Sequence, residues 1–170
     1  MKLAIPQPRR LSGAALKFHA QRIMDELKDV GADQYDLHVP ETRYLPHVIQ
    51  ADEHIQGAVY GKYPQGRGAL VATDKRILFI DKKPLFVRLD DIDFGVVGGI
   101  TYTQTGLPGI VTLRTRLGDY KLRTFNSKNA MNFVDYVGAR CLRSEQLSQK
   151  VIDKIMNGDY DDYDDQKRTI

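Results

Sequence analysis

Hydrophobic positions change period twice along the chain. In residues 12–30 the apolar residues Leu16, Ile23, Leu27 and Val30 recur at steps of seven, four and three, and Ala20 fills the vacant place. That spacing predicts an amphipathic helix, with Ser12 as N-cap and Gly31 as stop. Residues 32–43 show no period and read as irregular, and Pro46 opens a short helical turn to Gln50. Then the period shortens. Runs of β-type residues at 55–63, 68–73, 76–81, 85–89, 93–104, 109–116 and 120–125 are separated by turn residues such as Pro64-Gln65-Gly66, Asp74-Lys75, Lys82-Lys83-Pro84 and Gly118-Asp119. Seven strands with hairpin-length gaps predict an antiparallel barrel or sandwich rather than βαβ units. From Ser127, a second candidate N-cap, the helical period returns: Ala130, Phe133, Val134, Val137 and Cys141 share one face. A further amphipathic stretch carries Leu147, Val151, Ile152, Ile155 and Met156, ends at Gly158, and leads into the acidic tail DYDDYDD.

The hairpin at 68–81 is the most informative segment. With Asp74-Lys75 as a two-residue turn, Val71 pairs with Leu78 and Leu70 with Phe79, so both faces are apolar. Both must then be covered. One fills the interior with Leu70, Phe79, Leu113, Leu122 and Phe133, and the other needs a lid from the N-terminal helix or the C-terminal amphipathic stretch. Arg76, beside the turn, reads as a structural partner of Asp74 or Asp81.

Composition narrows the class. The chain has 170 residues and 28% charged side chains, enough for one domain with extensions. No apolar run approaches the ~20 residues of a membrane span. MKLAIPQPRR breaks up any leader-like apolar stretch with two prolines and two arginines, which predicts a cytoplasmic protein. The single cysteine excludes an internal disulfide and a cysteine-cluster zinc site.

Catalytic and metal patterns are absent from the sequence. His19, His38, His47 and His54 have no HxH or HExxH spacing and read as solvated. Gly61-Lys62 is followed by Tyr63, where a phosphate-binding loop needs Ser or Thr. Asp90, Asp91 and Asp93 match no calcium loop and read as edge-strand solubility. Cys141 falls on the apolar helix face. No catalytic, cofactor-binding or metal residue is assigned, and no cofactor is expected.

Charge is distributed unevenly. Residues 54–128 hold twelve Lys and Arg against six Asp, a surplus of six, although the whole chain carries only +3. With Gly118-Asp119 as a turn, Arg116 faces Lys121 and Arg114 faces Arg123 on one surface, while Leu113, Leu117, Tyr120 and Leu122 face the core. Like charges opposed across a strand pair destabilise it, which points to an anionic partner or a nearby carboxylate; the alternative is that the long side chains splay into solvent at little cost. Arg114, Arg116, Lys121 and Arg123, with Lys62 and Arg67 of the first hairpin, are therefore the candidate binding residues. The five aspartates of the tail are expected to cover this hairpin weakly.

Seven strands followed by a helix, with the Thr73-Asp74-Lys75-Arg76 turn inside GALVATDKRILFID and the later FVRLDDID, resemble bacterial pleckstrin-homology-like domains of the YokE-like group and the related GRAM domains. The resemblance covers residues 51–142. It implies an α+β fold, a seven-stranded PH-like barrel or sandwich capped by a C-terminal helix, here with an extra N-terminal helical segment. The expected divisions are 1–50 for that extension, 51–143 for the PH-like domain, and 144–170 for the amphipathic helix and acidic tail. The resemblance names no ligand; the function expected is a non-catalytic module binding a protein or protein complex in a prokaryotic or phage cytoplasm. The competing reading is a binder of anionic membrane headgroups or nucleic acid through the basic hairpins.

Overall fold

The computed structural model describes residues 13–157; Ser12, Gly158 and the acidic tail with its proposed cover lie outside them. Helix α1 (Gly13–Asp29) buries His19, Ile23 and Leu27. It stops where Gly31 takes φ +94°, so that Ala32 N–H reaches the Leu27 carbonyl at 2.9 Å and Gly31 N–H the Lys28 carbonyl at 3.0 Å. His19, expected in solvent, is 5% exposed and donates from Nε2 to the Ile49 carbonyl at 2.9 Å. The stretch expected to be irregular holds a 3-10 turn (Asp36–His38) and helix α2 (Pro40–Tyr44), followed by a second 3-10 turn (Leu45–His47).

The seven strands are β1 (Ile55–Tyr63), β2 (Gly66–Thr73), β3 (Ile77–Lys82), β4 (Val87–Ile92), β5 (Val97–Thr103), β6 (Gly109–Thr115) and β7 (Gly118–Thr124). They form one antiparallel sheet in the order β4-β3-β2-β1-β7-β6-β5. Of the barrel or sandwich expected, the structure has an open, bent sheet rather than a closed barrel. The run predicted at 93–104 is broken by a 3-10 turn (Phe94–Val96) before β5 begins. Phe94 and Val97 pack into the core there, and β4 and β5 remain the two edges. The bend centres on β1 and β7, which meet at Lys62↔Arg123. Gly61 permits that approach, because a Cβ there would stand 2.5 Å from the Arg123 carbonyl oxygen.

Helix α3 (Ser127–Met156) is one continuous helix rather than two. Its N-cap is Asn126, not Ser127; the Asn126 side chain accepts from Asn129 N–H at 3.0 Å. Inside the bend, Val59, Leu70 and Phe79 meet Val111, Leu113 and Leu122, and Ala130, Phe133 and Val137 of α3 close the core. Cys141 packs against this core half-buried. The hairpin register is as expected, with Leu70↔Phe79 and Val71↔Leu78. Its outer face, Ala69, Val71, Leu78 and Ile80 with Ala58 and Tyr60, is covered by Ile23, Leu27, Leu37, Val39, Leu45 and Ile49. The lid is thus N-terminal. Glu26 of α1 fastens it by accepting from Ile55 N–H at 2.9 Å. No helix among the described residues is long and apolar enough to cross a membrane.

Candidate functional site

The β6–β7 hairpin differs from expectation in level, not in face. Pairs run Ile110↔Arg123, Thr112↔Lys121, Arg114↔Asp119 and Thr115↔Gly118, so Arg116 and Leu117 form the turn. The Thr115 hydroxyl holds it, accepting from Leu117 N–H at 3.2 Å and donating to the Gly118 carbonyl at 2.6 Å. Leu117, expected in the core, is 89% exposed. No two cations oppose each other in this hairpin: Arg114 faces Asp119 instead.

Cations do oppose each other elsewhere on the outer face. Lys62 of β1 lies between Arg67 of β2 and Arg123 of β7. Continuing the Ala69↔Ile80 register two residues away from the β2–β3 turn brings Arg67 level with Lys82 of β3. Four cations thus stand in a row across four neighbouring strands, roughly 5 Å apart per strand. Lys121 extends the row along β7, two residues from Arg123 and on the same face. Arg114 is farther along, beside its acid. Arg116 is separate; it lines a groove of about 580 Å³ between Phe94–Val97 and the Cys141, Ser144, Gln149 and Ile152 side of α3.

The acids near this row are tied up. Asp36 is 6% exposed; burial, and then the charge of Asp33, push its pKa up to about 6, while Arg67 pulls the other way. Glu41 is buried and accepts from Lys82 N–H at 3.2 Å. Arg67 lies over Tyr35, its guanidinium carbon 4.6 Å from the centre of the ring.

Residues that the sequence did not single out complete the face. Between α2 and the β3–β4 turn, Arg43, Tyr44, His47, Lys82, Lys83 and Pro84 line a hollow of about 360 Å³. Lys83 pairs with Asp81 at 2.8 Å, and Asp81 also accepts from the Tyr63 hydroxyl. Burial, then Asp81, push the Tyr63 pKa up to about 12. Beyond the lysines, Leu85 and Phe86 project into solvent, 97% and 60% exposed. The signal was present in the sequence as Lys-Lys-Pro-Leu-Phe, two cations followed by two apolar residues inside a turn.

Other polar residues take structural posts. Arg76 is structural as expected, but its partners are Glu53 at 2.9 Å and Asp91, not Asp74 or Asp81. Asp90 accepts from Arg88 at 2.7 Å and from the Tyr120 hydroxyl at 3.0 Å, and Asp93 accepts from Gly95 N–H at 2.7 Å. Among the described residues no group of three or more His, Cys, Asp and Glu is placed to hold a metal ion.

Comparison with known proteins agrees with the resemblance read from the 68–81 hairpin. A family model described as Bacterial PH domain matches residues 49–138. Among solved structures, a DUF1696 family protein with a pleckstrin-homology domain from Shewanella loihica PV-4 is similar, at 16% identity and a TM-score of 0.37. That match covers 61% of this chain and 98% of the other. No curated protein matches.

Proposed function

Because the chain belongs to the bacterial PH domain family, we propose that it is a non-catalytic, cytoplasmic interaction module that binds an acidic face of another protein. The observation that supports this is the row Lys82, Arg67, Lys62 and Arg123 on the outer face. Opposed cations cost stability in an isolated sheet, and a partner's carboxylates would offset that cost while steering the encounter. Capture from the native host with a cross-linker, read by mass spectrometry, tests it. The expected result is a partner retained by the full chain, released by salt, and lost from a Lys62→Glu/Arg123→Glu variant. A partner retained equally by that variant would place binding elsewhere.

A second reading rests on the β3–β4 turn. Exposed Leu85 and Phe86 beside Lys82 and Lys83 give an apolar tip with a cationic collar, the arrangement of a segment that docks on anionic membranes. The cations, however, spread from β3 to β7 while the apolar tip is confined to one turn, which favours a protein face. Flotation with phosphatidylserine-rich vesicles separates the two. Binding abolished by Leu85→Asp and Phe86→Asp would transfer the function to the membrane surface.

A further inference from the structure

Strand β4 ends the sheet, and its outer edge has no strand beside it among the described residues. The phase of the β3–β4 ladder shows which backbone groups face outward. Lys83 N–H donates to the Phe86 carbonyl at 2.9 Å, which makes this a hydrogen-bonded pair. Bonded and non-bonded pairs alternate along an antiparallel ladder. Asp81–Arg88, Phe79–Asp90 and Ile77–Ile92 are therefore bonded pairs as well. The N–H and C=O groups of Val87, Leu89 and Asp91 then point away from β3.

Protein edges are usually blunted by charged side chains, lysine above all, by proline or by a bulge. Val87 to Ile92 contain no lysine or proline, and their register with β3 has no shift. Val87 and Leu89 are 36% and 39% exposed on the outer face, and Phe86 projects at the strand's start. This edge is regular and open, and the charges it carries, Arg88, Asp90 and Asp91, stand between and after the exposed Val87 and Leu89.

We propose that a second copy of this chain pairs with β4, antiparallel, about a two-fold axis through Leu89. The strand is self-complementary in that register. Leu89 meets Leu89 of the second copy, and Val87 meets Asp91, so every outward backbone group of these three residues finds a partner in the other strand. On the inner side, Arg88 meets Asp90 of the second copy and Asp90 meets its Arg88. Within one chain Arg88 already bonds Asp90 through Nε at 3.0 Å and Nη2 at 2.7 Å. Pairing merges two such couples into an alternating group of four charges, and Phe86 comes level with Ile92 of the second copy.

The charges also select the register. Sliding by two residues sets Arg88 against Arg88 or Asp90 against Asp90, and sliding by one exchanges the two faces of the strand. In-register parallel pairing would stack each charge beside its like. The axis stands perpendicular to the joined sheet, so both outer faces lie on the same side and the two β3–β4 turns point to opposite ends. This pairing does not depend on the proposed partner; it would present two cationic rows to one side.

Sedimentation velocity on the full chain tests the pairing, with the melting transition of each variant recorded to show that it folds. The expected result is a concentration-dependent dimer up to about 0.3 mM. Arg88→Asp gathers four acids and Asp90→Arg gathers four bases, so each variant alone is expected to dimerise roughly 10-fold to 100-fold more weakly. Mixed in equal amounts, the two are expected to recover the dimer, because acids on one chain then meet bases on the other. Leu89→Pro removes an outward N–H and the leucine side chain on the axis while sparing the N–H groups that bond β3, and is expected to weaken pairing to a similar degree. A full chain that remains monomeric, a mixture that does not recover, or a dimer indifferent to Leu89→Pro overturns the proposal. A monomeric result would leave the edge to another chain's strand or to a terminal segment of this one.

Discussion

Phe79 gathers the inner core around one ring. It meets Tyr63 edge-on at 5.2 Å and Tyr120 at 5.2 Å, and the Arg88 guanidinium sits 4.9 Å above it. A Cβ at Gly68 would stand 2.9 Å from the same ring, so glycine is what admits it. Phe79→Ala should cost about 3–5 kcal/mol in a denaturant melt, the range for emptying a buried aromatic site; a loss under about 1 kcal/mol would mean that the ring carries little of the packing. Asp36 gives a residue-scale pH effect. Its folded pKa of about 6 lies above the ordinary 3.8, through desolvation first and Asp33 second. The folded state therefore binds the proton more tightly, and this stability contribution, complete below pH 3.8, is lost as pH rises through about 6. Urea melts across that window should show the native chain losing stability relative to Asp36→Asn as pH rises; a constant difference would contradict it. At this scale the core was legible, since Leu70, Phe79, Leu113, Leu122 and Phe133 all follow from strand alternation and helix period and all are buried. His19 and Asp36 were not. A single polar residue within an apolar surface leaves no periodic trace, and its burial depends on partners such as the Ile49 carbonyl that only the fold supplies.

Two hairpins show what decides a register. Thr73 fixes the β2–β3 turn twice: its N–H donates to the Arg76 carbonyl at 2.8 Å, and its hydroxyl accepts from the N–H groups of Lys75 and Arg76. The Thr-Asp-Lys-Arg sequence announces that turn. In β6–β7 both Gly118-Asp119 and Arg116-Leu117 offer a turn, and moving between them leaves every side chain on the same face. Alternation cannot distinguish them; the Thr115 hydroxyl does. Helix α3 runs unbroken because residues 143–147 contain neither glycine nor proline. Elements are also joined through Glu53, which is fully buried and accepts from Arg76 Nε at 2.9 Å, Thr73 Oγ1 at 2.8 Å and Gln50 N–H at 3.0 Å. Burial works to raise its pKa, but these hydrogen bonds and the Arg76 charge hold it below the ordinary carboxylate value. Arg76 also donates to the Val48 carbonyl at 2.9 Å, tying the lid to the hairpin. Arg76→Ala strands a buried charge and should cost about 3–5 kcal/mol. Arg76→Lys should recover only part of that, since an ammonium cannot reproduce the guanidinium fork. Equal stability of the lysine variant and the native chain in thermal melts would show that the fork is not needed.

Across the whole molecule, the sheet carries apolar side chains on both faces, and each face has its own cover: α3 inside the bend, the 13–50 segment outside it. The surplus of positive charge in 54–128 was legible as a count, and four of the six candidate cations, Lys62, Arg67, Lys121 and Arg123, come together on one face. Which strands carry them side by side was not legible, because β1 meets β7 only through a long-range contact that no local pattern announces. The same long-range organisation makes the N-terminal segment part of the fold. Removing it would bare Ala58, Tyr60, Ala69, Val71, Leu78 and Ile80 on three adjacent strands, a contiguous patch larger than soluble monomers usually expose. It would also take from Glu53 the Gln50 N–H and from Ile55 the Glu26 carboxylate. A fragment spanning 51–143 should therefore be less stable than the full chain and should aggregate through its outer face. Solubility, light scattering and melts on both chains check this. A fragment that is soluble, monomeric and as stable as the full chain would instead make the N-terminal segment a detachable arm whose apolar face is available to a partner.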